Sequence, residues 1–263
     1  MPVPATSNYP LDNAWEHAQP RLRALERIYD PASTRRLEAL GVGAGWRCLE
    51  VGAGGGSITR WLCSKVGATG RVLAVDLDTR FVADIRAVNL DVARLDITTA
   101  DLPRGAYDLV HARGVLCCLP QREAVLDALV ASLAPRGWLL LEEPDEYATP
   151  ALDSGLHGEM LTRMLGVLVS AGIDLTWARD LPARLHQRGL HAIGAESEVP
   201  FIGGGSPATE YFRLTALQLR DMVLAAGASA EQLDQWNAAL DNPAQWFPSY
   251  GLVAAWGRRR EGC

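Results

Sequence analysis

At 263 residues and 28.4 kDa the chain has room for one α/β core with added lid elements, and two independent domains are not required. Its 48% hydrophobic and 21% charged content matches an ordinary soluble globular protein and argues against disorder, a collagen repeat or a disulfide scaffold. A net charge of −6 and a pI near 5.4 give no bulk attraction to phosphate backbones or anionic membranes, so nucleic acid is disfavoured and a small-molecule substrate moves ahead.

In chain order, Leu22, Leu25, Ile28 and Tyr29 fall at helical spacing, and a second short helix is expected from Ser33 to Leu40, closed by Gly41. Trp46 to Val51 reads as a buried strand, followed by a glycine loop and a helix from Ser57 to Val66. Further strands are expected at Arg71–Val75, at Val92–Leu95 (weaker), at Tyr107–Ala112 and at Trp138–Leu141, with a helix around Arg122 to Leu133. Short apolar strands alternating with helices predict a parallel sheet covered on both faces. Residues 150 to 190 read as helices, with Leu156, Met160, Met164, Leu165 and Leu168 on one face. A strand-like run follows from Leu190 to Phe201, broken at Gly203 to Pro207. Helices near 208–226 and 230–241 lead to a last strand from Tyr250 to Trp256. Two late strands separated by helices predict antiparallel pairing at the sheet edge, with the intervening helices forming a lid.

The five cysteines are odd in number and form no C-x-x-C pair, so they read as free thiols of a cytoplasmic protein, and no metal site is expected. Cys117 and Cys118 lie in an apolar run and read as small core hydrophobes. No basic-then-apolar leader opens the chain and no apolar stretch is long enough to span a bilayer, which predicts no membrane association.

The informative segment is Leu49 to Ser57, between a strand and a helix. Glycines there let the backbone turn sharply and approach a ligand at the point where α/β sheets bind nucleotides. The dinucleotide-binding pattern wants a third glycine at position 57, which is Ser, and an apolar residue at position 50, which is Glu. A carboxylate closing a buried strand needs a partner. Either a ligand ammonium supplies it, or Arg47 or Arg71 does. Asp76 ends the second strand, where an acid accepts hydrogen bonds from both hydroxyls of a ribose. Asp96 ends the third, placed to accept from an exocyclic amine. An ammonium, a ribose and an adenine without pyrophosphate describe S-adenosyl-L-methionine.

With these residues in place, the sequence resembles the class I S-adenosylmethionine-dependent methyltransferases of the bacterial small-molecule type. Glu50–Gly56 is similar to their first motif, Val72–Asp76 to their second, Leu95–Ile97 to their third and Tyr107–Arg113 to their fourth; the resemblance is close over residues 41 to 145. It implies a Rossmann-like α/β fold: a mostly parallel seven-stranded sheet with an antiparallel edge strand, helices on both faces and helical lid insertions. The division it implies is an N-terminal cover over 1–40, a cofactor-binding core over 41–145, and a lid with the strands that complete the sheet over 146–263. The cofactor residues it implies are Glu50, Gly52, Ala53, Gly54, Asp76, Leu77, Asp96, Ile97, His111 and Arg113, with Tyr9 or Trp15 of the cover touching the cofactor. Trp15 serving only to pack its helix is the alternative.

The catalytic candidates facing the reacting methyl are His111, Glu143 and His157, with Glu142 and Asp145 beside them, because strand C-terminal ends line the crevice in this fold. An aromatic lid is expected from Trp177, Phe201, Tyr211, Phe212, Trp236, Trp246, Phe247 and Tyr250. The resemblance implies methyl transfer to a natural product of secondary metabolism, antibiotic biosynthesis included. A non-methylating step such as cyclisation is the alternative, since fold does not fix function. A nicotinamide oxidoreductase is disfavoured by Glu50 and Ser57. A homodimer is compatible with the sequence.

Overall fold

The computed structural model describes residues 10–152 and 155–261. In chain order the elements are α1 (Ala18–Ala39), β1 (Arg47–Val51), α2 (Ser57–Val66), β2 (Arg71–Asp76), β3 (Leu90–Arg94), β4 (Tyr107–Arg113), α3 (Arg122–Ser132) and β5 (Leu133–Asp145). Then come α4 (Thr149–Leu152), α5 (Leu156–Ser170), α6 (Leu181–Gln187), β6 (His191–Glu198), β7 (Phe201–Gly203), α7 (Glu210–Gln218), α8 (Arg220–Ala225), α9 (Ala230–Leu240), β8 (Trp246–Pro248) and β9 (Gly251–Arg258).

One sheet of seven strands carries the molecule, in the order β3-β2-β1-β4-β5-β9-β6. Strands β1 to β5 pair in parallel, and β9 runs antiparallel to both β5 and the edge strand β6. Strand order reverses between β1 and β4, so the loops after their C-terminal ends diverge and leave a crevice there. β1 (Cys48 to Val51) and most of β4 are buried on both faces, which explains their largely apolar make-up and makes Glu50 and His111 exceptions that need partners. One face packs on α3 and α6 through Leu126, Leu129, Leu181 and Leu185; the other packs on α2 through Ile58, Leu62 and Val66. A third cluster, centred on Met160, Met164, Phe212 and Trp236, builds the lid from α5 and α7 to α9 and takes in the inner side of α1. The small sheet β7-β8 belongs to this lid.

Three expectations change, one of them the strand read from Leu190 to Phe201, which divides into β6 of the main sheet and β7 of the small one. The pair of short N-terminal helices is one helix of 22 residues that passes through Pro31. Proline removes one backbone bond, but long-range anchors hold both halves: Ala24, Ile28 and Tyr29 sit in the lid cluster, and Leu37 sits against the sheet. The helix expected over 208–226 breaks at Leu219 into α7 and α8. The lid aromatics also divide: Tyr211, Phe212, Trp236 and Phe247 are buried together, Trp177 packs with the α3–α6 face, and Phe201 and Trp246 are exposed.

Candidate cofactor and active site

The turn after β1 is made by glycines. Gly52, Gly54 and Gly56 have φ of +70°, +53° and +84°, and the amides of Gly52 and Ala53 donate to the Val75 carbonyl at 2.8 and 3.2 Å. A Cβ on Gly52 would lie 2.3 Å from Val115 Cγ2, so the chain after β4 closes directly on the loop. Asp76 joins the loop to the end of β2. Its Oδ2 accepts from the Gly54 amide at 2.9 Å and its Oδ1 from the Asp78 amide at 3.0 Å. Burial pushes the Asp76 carboxyl up, against the pull of these two amides. At the end of β3, Asp96 spends Oδ1 on the amide and hydroxyl of Thr98 at 2.9 and 2.7 Å. Ile97 is buried beside it and Leu77 is exposed.

Strand register explains the next layer. Glu50 lies opposite His111, and Glu142 lies opposite Arg113. His111 is fully buried between two carboxylates, with Nδ1 2.7 Å from Glu50 Oε2 and Nε2 3.0 Å from Glu142 Oε2. Burial alone would push the imidazole down, but the Glu50 charge and the hydrogen bonds to Glu142 and Glu50 overcome it and raise it to about 9. Glu142 is the mirror case: burial would raise it, yet the His111 hydrogen bond and charge hold it at about 2. At neutral pH His111 is an imidazolium donating from both nitrogens. It has no lone pair with which to take a proton.

Glu142 also receives Ser33 Oγ at 2.6 Å and Arg36 Nη1 at 2.6 Å, both from α1. Arg36 continues outward to Glu196 at 2.5 Å and Glu198 at 3.0 Å on β6. Arg113 donates to Ser33 Oγ and to Asp30 Oδ1, each at 2.9 Å, and Asp30 accepts from Ser57 Oγ at 3.1 Å. Glu26 Oε1 accepts from the Ser57 amide at 3.2 Å, which seats the middle of α1 on the glycine loop and the N-terminus of α2. An acid there complements the positive end of a helix.

The remaining candidates have defined roles. Glu143 accepts from the amides of Leu116 and Cys117 at 2.9 and 3.2 Å and ties down the chain after β4. Asp145 pairs with Arg179 at 2.6 Å. His157 is buried in the lid, where Trp236 Nε1 donates to its Nδ1 at 3.0 Å and its Nε2 donates to the Pro248 carbonyl at 2.8 Å. This fixes the neutral Nε2–H tautomer as a lid brace. Trp15 is half-buried and stacks edge-on against His17 with ring centroids 5.1 Å apart. Tyr9 lies outside the described residues. The structure therefore gathers Glu50, the glycines, Asp76, Asp96, His111 and Arg113 along the crevice and separates His157 from them. The partner of Glu50 is His111, where the sequence pointed to a ligand or to Arg47 or Arg71.

Sequence reasoning missed Glu26, Asp30, Ser33 and Arg36. Their spacing of three to four residues continues one side of α1, and the expected division into two helices between Tyr29 and Ser33 hid it. Among the described residues no group of three His, Cys, Asp or Glu is placed to hold a metal ion, and no helix is long and apolar enough to cross a membrane.

Residues 49–139 match the family described as "Methyltransferase domain". Methyltransferase str3 of Strobilurus tenacellus is 32% identical over 142 residues, 52% of this chain and 47% of that protein, so the chain spans about half the length of this relative. A trans-aconitate 2-methyltransferase of Methylobacterium nodulans is 28% identical over 231 residues, covering 86% of this chain and 88% of that one. Among solved structures, phosphoethanolamine N-methyltransferase 2 of Haemonchus contortus, in complex with S-adenosyl-L-methionine, superposes with a TM-score of 0.61 at 15% identity, over 99% of this chain and 61% of that one. Residues 49–139 are thus similar to the methyltransferase domain family, and the β3-β2-β1-β4-β5-β9-β6 sheet with its antiparallel β9 is the Rossmann-like fold shared with the solved methyltransferase.

Proposed function

We propose that the chain binds S-adenosyl-L-methionine across the ends of β1, β2 and β3 and transfers its methyl group to a small molecule, a natural product of secondary metabolism, in the cytoplasm. The observation that carries this reading is the row of acids Glu50, Asp76 and Asp96 at three adjacent strand ends, each with acceptor capacity left over. Glu50 commits only Oε2 to His111, Asp96 commits only Oδ1 to Thr98, and each Asp76 oxygen accepts a single amide. A carboxylate oxygen has room for more than one hydrogen bond. The set suits an ammonium, a ribose diol and an exocyclic amine, which fits the cofactor end to end.

When bound, that cofactor supplies a methyl carbon already activated by its positive sulfur, so no metal or covalent enzyme intermediate is required. The chain's own residues then have three tasks. Asp76, held by the Gly54 and Asp78 amides, fixes the ribose, and the glycine turn allows the backbone to approach. Glu50, itself oriented by His111, receives the ammonium. The α1 cover, clamped through Ser33, Arg36 and Asp30, closes the crevice and excludes water. His111, holding its proton between two acids, is a positioning residue for Glu50 and not a base. An acceptor amine attacks neutral and loses its proton afterwards, while a hydroxyl acceptor must bring its own acidity or a base from the lid side.

Isothermal titration with S-adenosylhomocysteine, with NAD as the control, tests the cofactor reading. Saturable binding of the first and none of the second is expected; binding of NAD alone would overturn it.

A further inference from the structure

Helix α1 presents two stripes. Leu22, Glu26 and Asp30, at spacings of four, face the glycine loop: Leu22 Cδ2 and Glu26 Oε1 lie 3.8 and 2.4 Å from where a Cβ on Gly54 and Gly55 would stand, and Asp30 meets Ser57. The neighbouring stripe of Arg21, Ile28 and Tyr29 turns toward the lid, where Ile28 and Tyr29 join the same cluster as Tyr211 and Phe212. Tyr29 on that stripe meets the backbone of Tyr250, whose phenol pairs with that of Tyr211. Tyr29 donates to the Tyr250 carbonyl at 3.1 Å, and the Tyr211 and Tyr250 hydroxyls are 3.0 Å apart.

Arg21 is the anomaly of this surface. Its exposure is 3%, it has no carboxylate partner among the described residues, its Nε has no hydrogen-bond partner, and its Nη2 donates only to the Leu11 carbonyl at a long 3.4 Å. Arg36, the other buried guanidinium among the described residues, is answered by Glu142, and the part-buried Arg113 by Asp30. The Arg21 charge reaches Tyr211, whose phenol is pushed up by burial and pulled back by Tyr250 and Arg21. A buried guanidinium without an anion is costly, and a fork of free N–H donors matches a carboxylate in two-point geometry.

We infer that Arg21 receives a carboxylate of the acceptor substrate at the seam between α1 and the lid, on the side of the paired Tyr211 and Tyr250 hydroxyls. The inference rests on the methyltransferase reading above and specifies its acceptor as a carboxylic acid. The lid-facing stripe sets Arg21 apart from the residues that contact the glycine loop. A carboxylate from the amino-acid end of the cofactor is the competing source, and the test separates the two.

The probes are sodium acetate and sodium benzoate, each compared with sodium chloride at equal ionic strength, with the thermal midpoint read for wild type, Arg21→Met and Arg21→Lys in the presence of S-adenosylhomocysteine. At about 0.1 M the carboxylates are expected to raise the wild-type midpoint by about 3 °C over chloride, on the scale of a weak site filled several-fold above its Kd. Arg21→Lys keeps part of this rise. Arg21→Met loses it, and in chloride melts no lower than wild type because it removes an unanswered charge. An equal response in wild type and Arg21→Met, or no wild-type response, overturns the proposal; so does a lowered chloride midpoint in Arg21→Met, which would make Arg21 a structural tie to Leu11. In the second arm, S-adenosylhomocysteine and 5′-methylthioadenosine, which lacks the amino-acid end, are titrated into wild type and Arg21→Met. Unchanged affinities are expected. A tenfold loss for S-adenosylhomocysteine alone assigns the carboxylate to the cofactor and overturns the acceptor assignment. Failure of wild type to bind S-adenosylhomocysteine sinks the methyltransferase reading instead, and is seen separately from the acetate response.

Discussion

The crevice has a floor and a cover, and the two are held by different physics. The floor is backbone: left-handed glycines, amides donated to the Val75 carbonyl, and acids at strand ends whose oxygens are fixed by amides two residues on, by the glycine loop or by the adjacent strand. The cover is side chain: one helix clamped to the sheet through a buried chain of charges that runs from Glu50 through His111 and Glu142 to Arg36 and out to Glu196. A floor of many small backbone bonds tolerates loss of any one side chain and pays in ligand affinity. A cover clamped by buried charges has no such redundancy, because removing one member strands the others in a medium that cannot solvate them.

The largest expected effect follows directly. Glu142→Ala leaves His111 and Arg36 facing an empty, buried position and is expected to destabilise the protein by about 3 to 5 kcal/mol, read from urea unfolding. A loss below about 1 kcal/mol, the worth of an exposed pair, would mean that the charge chain does not hold the cover.

The second effect is a pH dependence. His111 is held at about 9 when folded against an ordinary value of 6.5, so its contribution is complete below pH 6.5 and disappears as pH rises through about 9. The cover should therefore weaken on the alkaline side, by on the order of 3 kcal/mol across that window. Glu142, held at about 2 against 4.5, acts with the opposite sign: its contribution is complete above pH 4.5 and fades as pH falls through about 2. Urea midpoints from pH 6 to 10 should decline in wild type and lose most of that slope in His111→Gln. Parallel slopes would assign the decline to other groups.

On the floor, Gly52→Ala puts a methyl 2.3 Å from Val115 Cγ2 at a φ of +70° and is expected to cost about 1 to 3 kcal/mol in stability. Adding Val115→Ala should return the steric share and leave the conformational share, so a double-mutant cycle divides the two; no recovery would place the clash elsewhere. The smallest effect is Asp96→Ala, expected to weaken S-adenosylhomocysteine binding by about 1 kcal/mol with stability nearly unchanged, since only one of its oxygens remains for a ligand. A loss in stability without a loss in affinity would make Asp96 a cap for Thr98 alone.

This contrast also explains what was legible beforehand. The glycine loop, Asp76 at the end of β2 and the alternation of strands and helices could be read because each is local: a turn, a strand end, a period. The cover could not. Ser33 and Arg36 reach Glu142 across more than a hundred residues, and His157 finds Trp236 and Pro248 across a comparable distance. Nothing in the pattern around His157 separates a lid brace from a base, and nothing around His111 announces that a remote Glu142 will hold its second proton in place. The two short helices expected on either side of residues 30–32 are one, because tertiary anchors hold both halves. Arg21 looks like any helical arginine until burial shows that its charge is unanswered.

The central claim is that acids at the strand ends read the cofactor, and isothermal titration of S-adenosylhomocysteine into wild type and Asp76→Ala tests it most directly, with unfolding curves run on both to show that the variant is folded. The account predicts saturable binding by wild type and a loss of about 1.5 to 3 kcal/mol in the variant, roughly 10- to 150-fold in Kd. Equal affinity in the two folded proteins would contradict it.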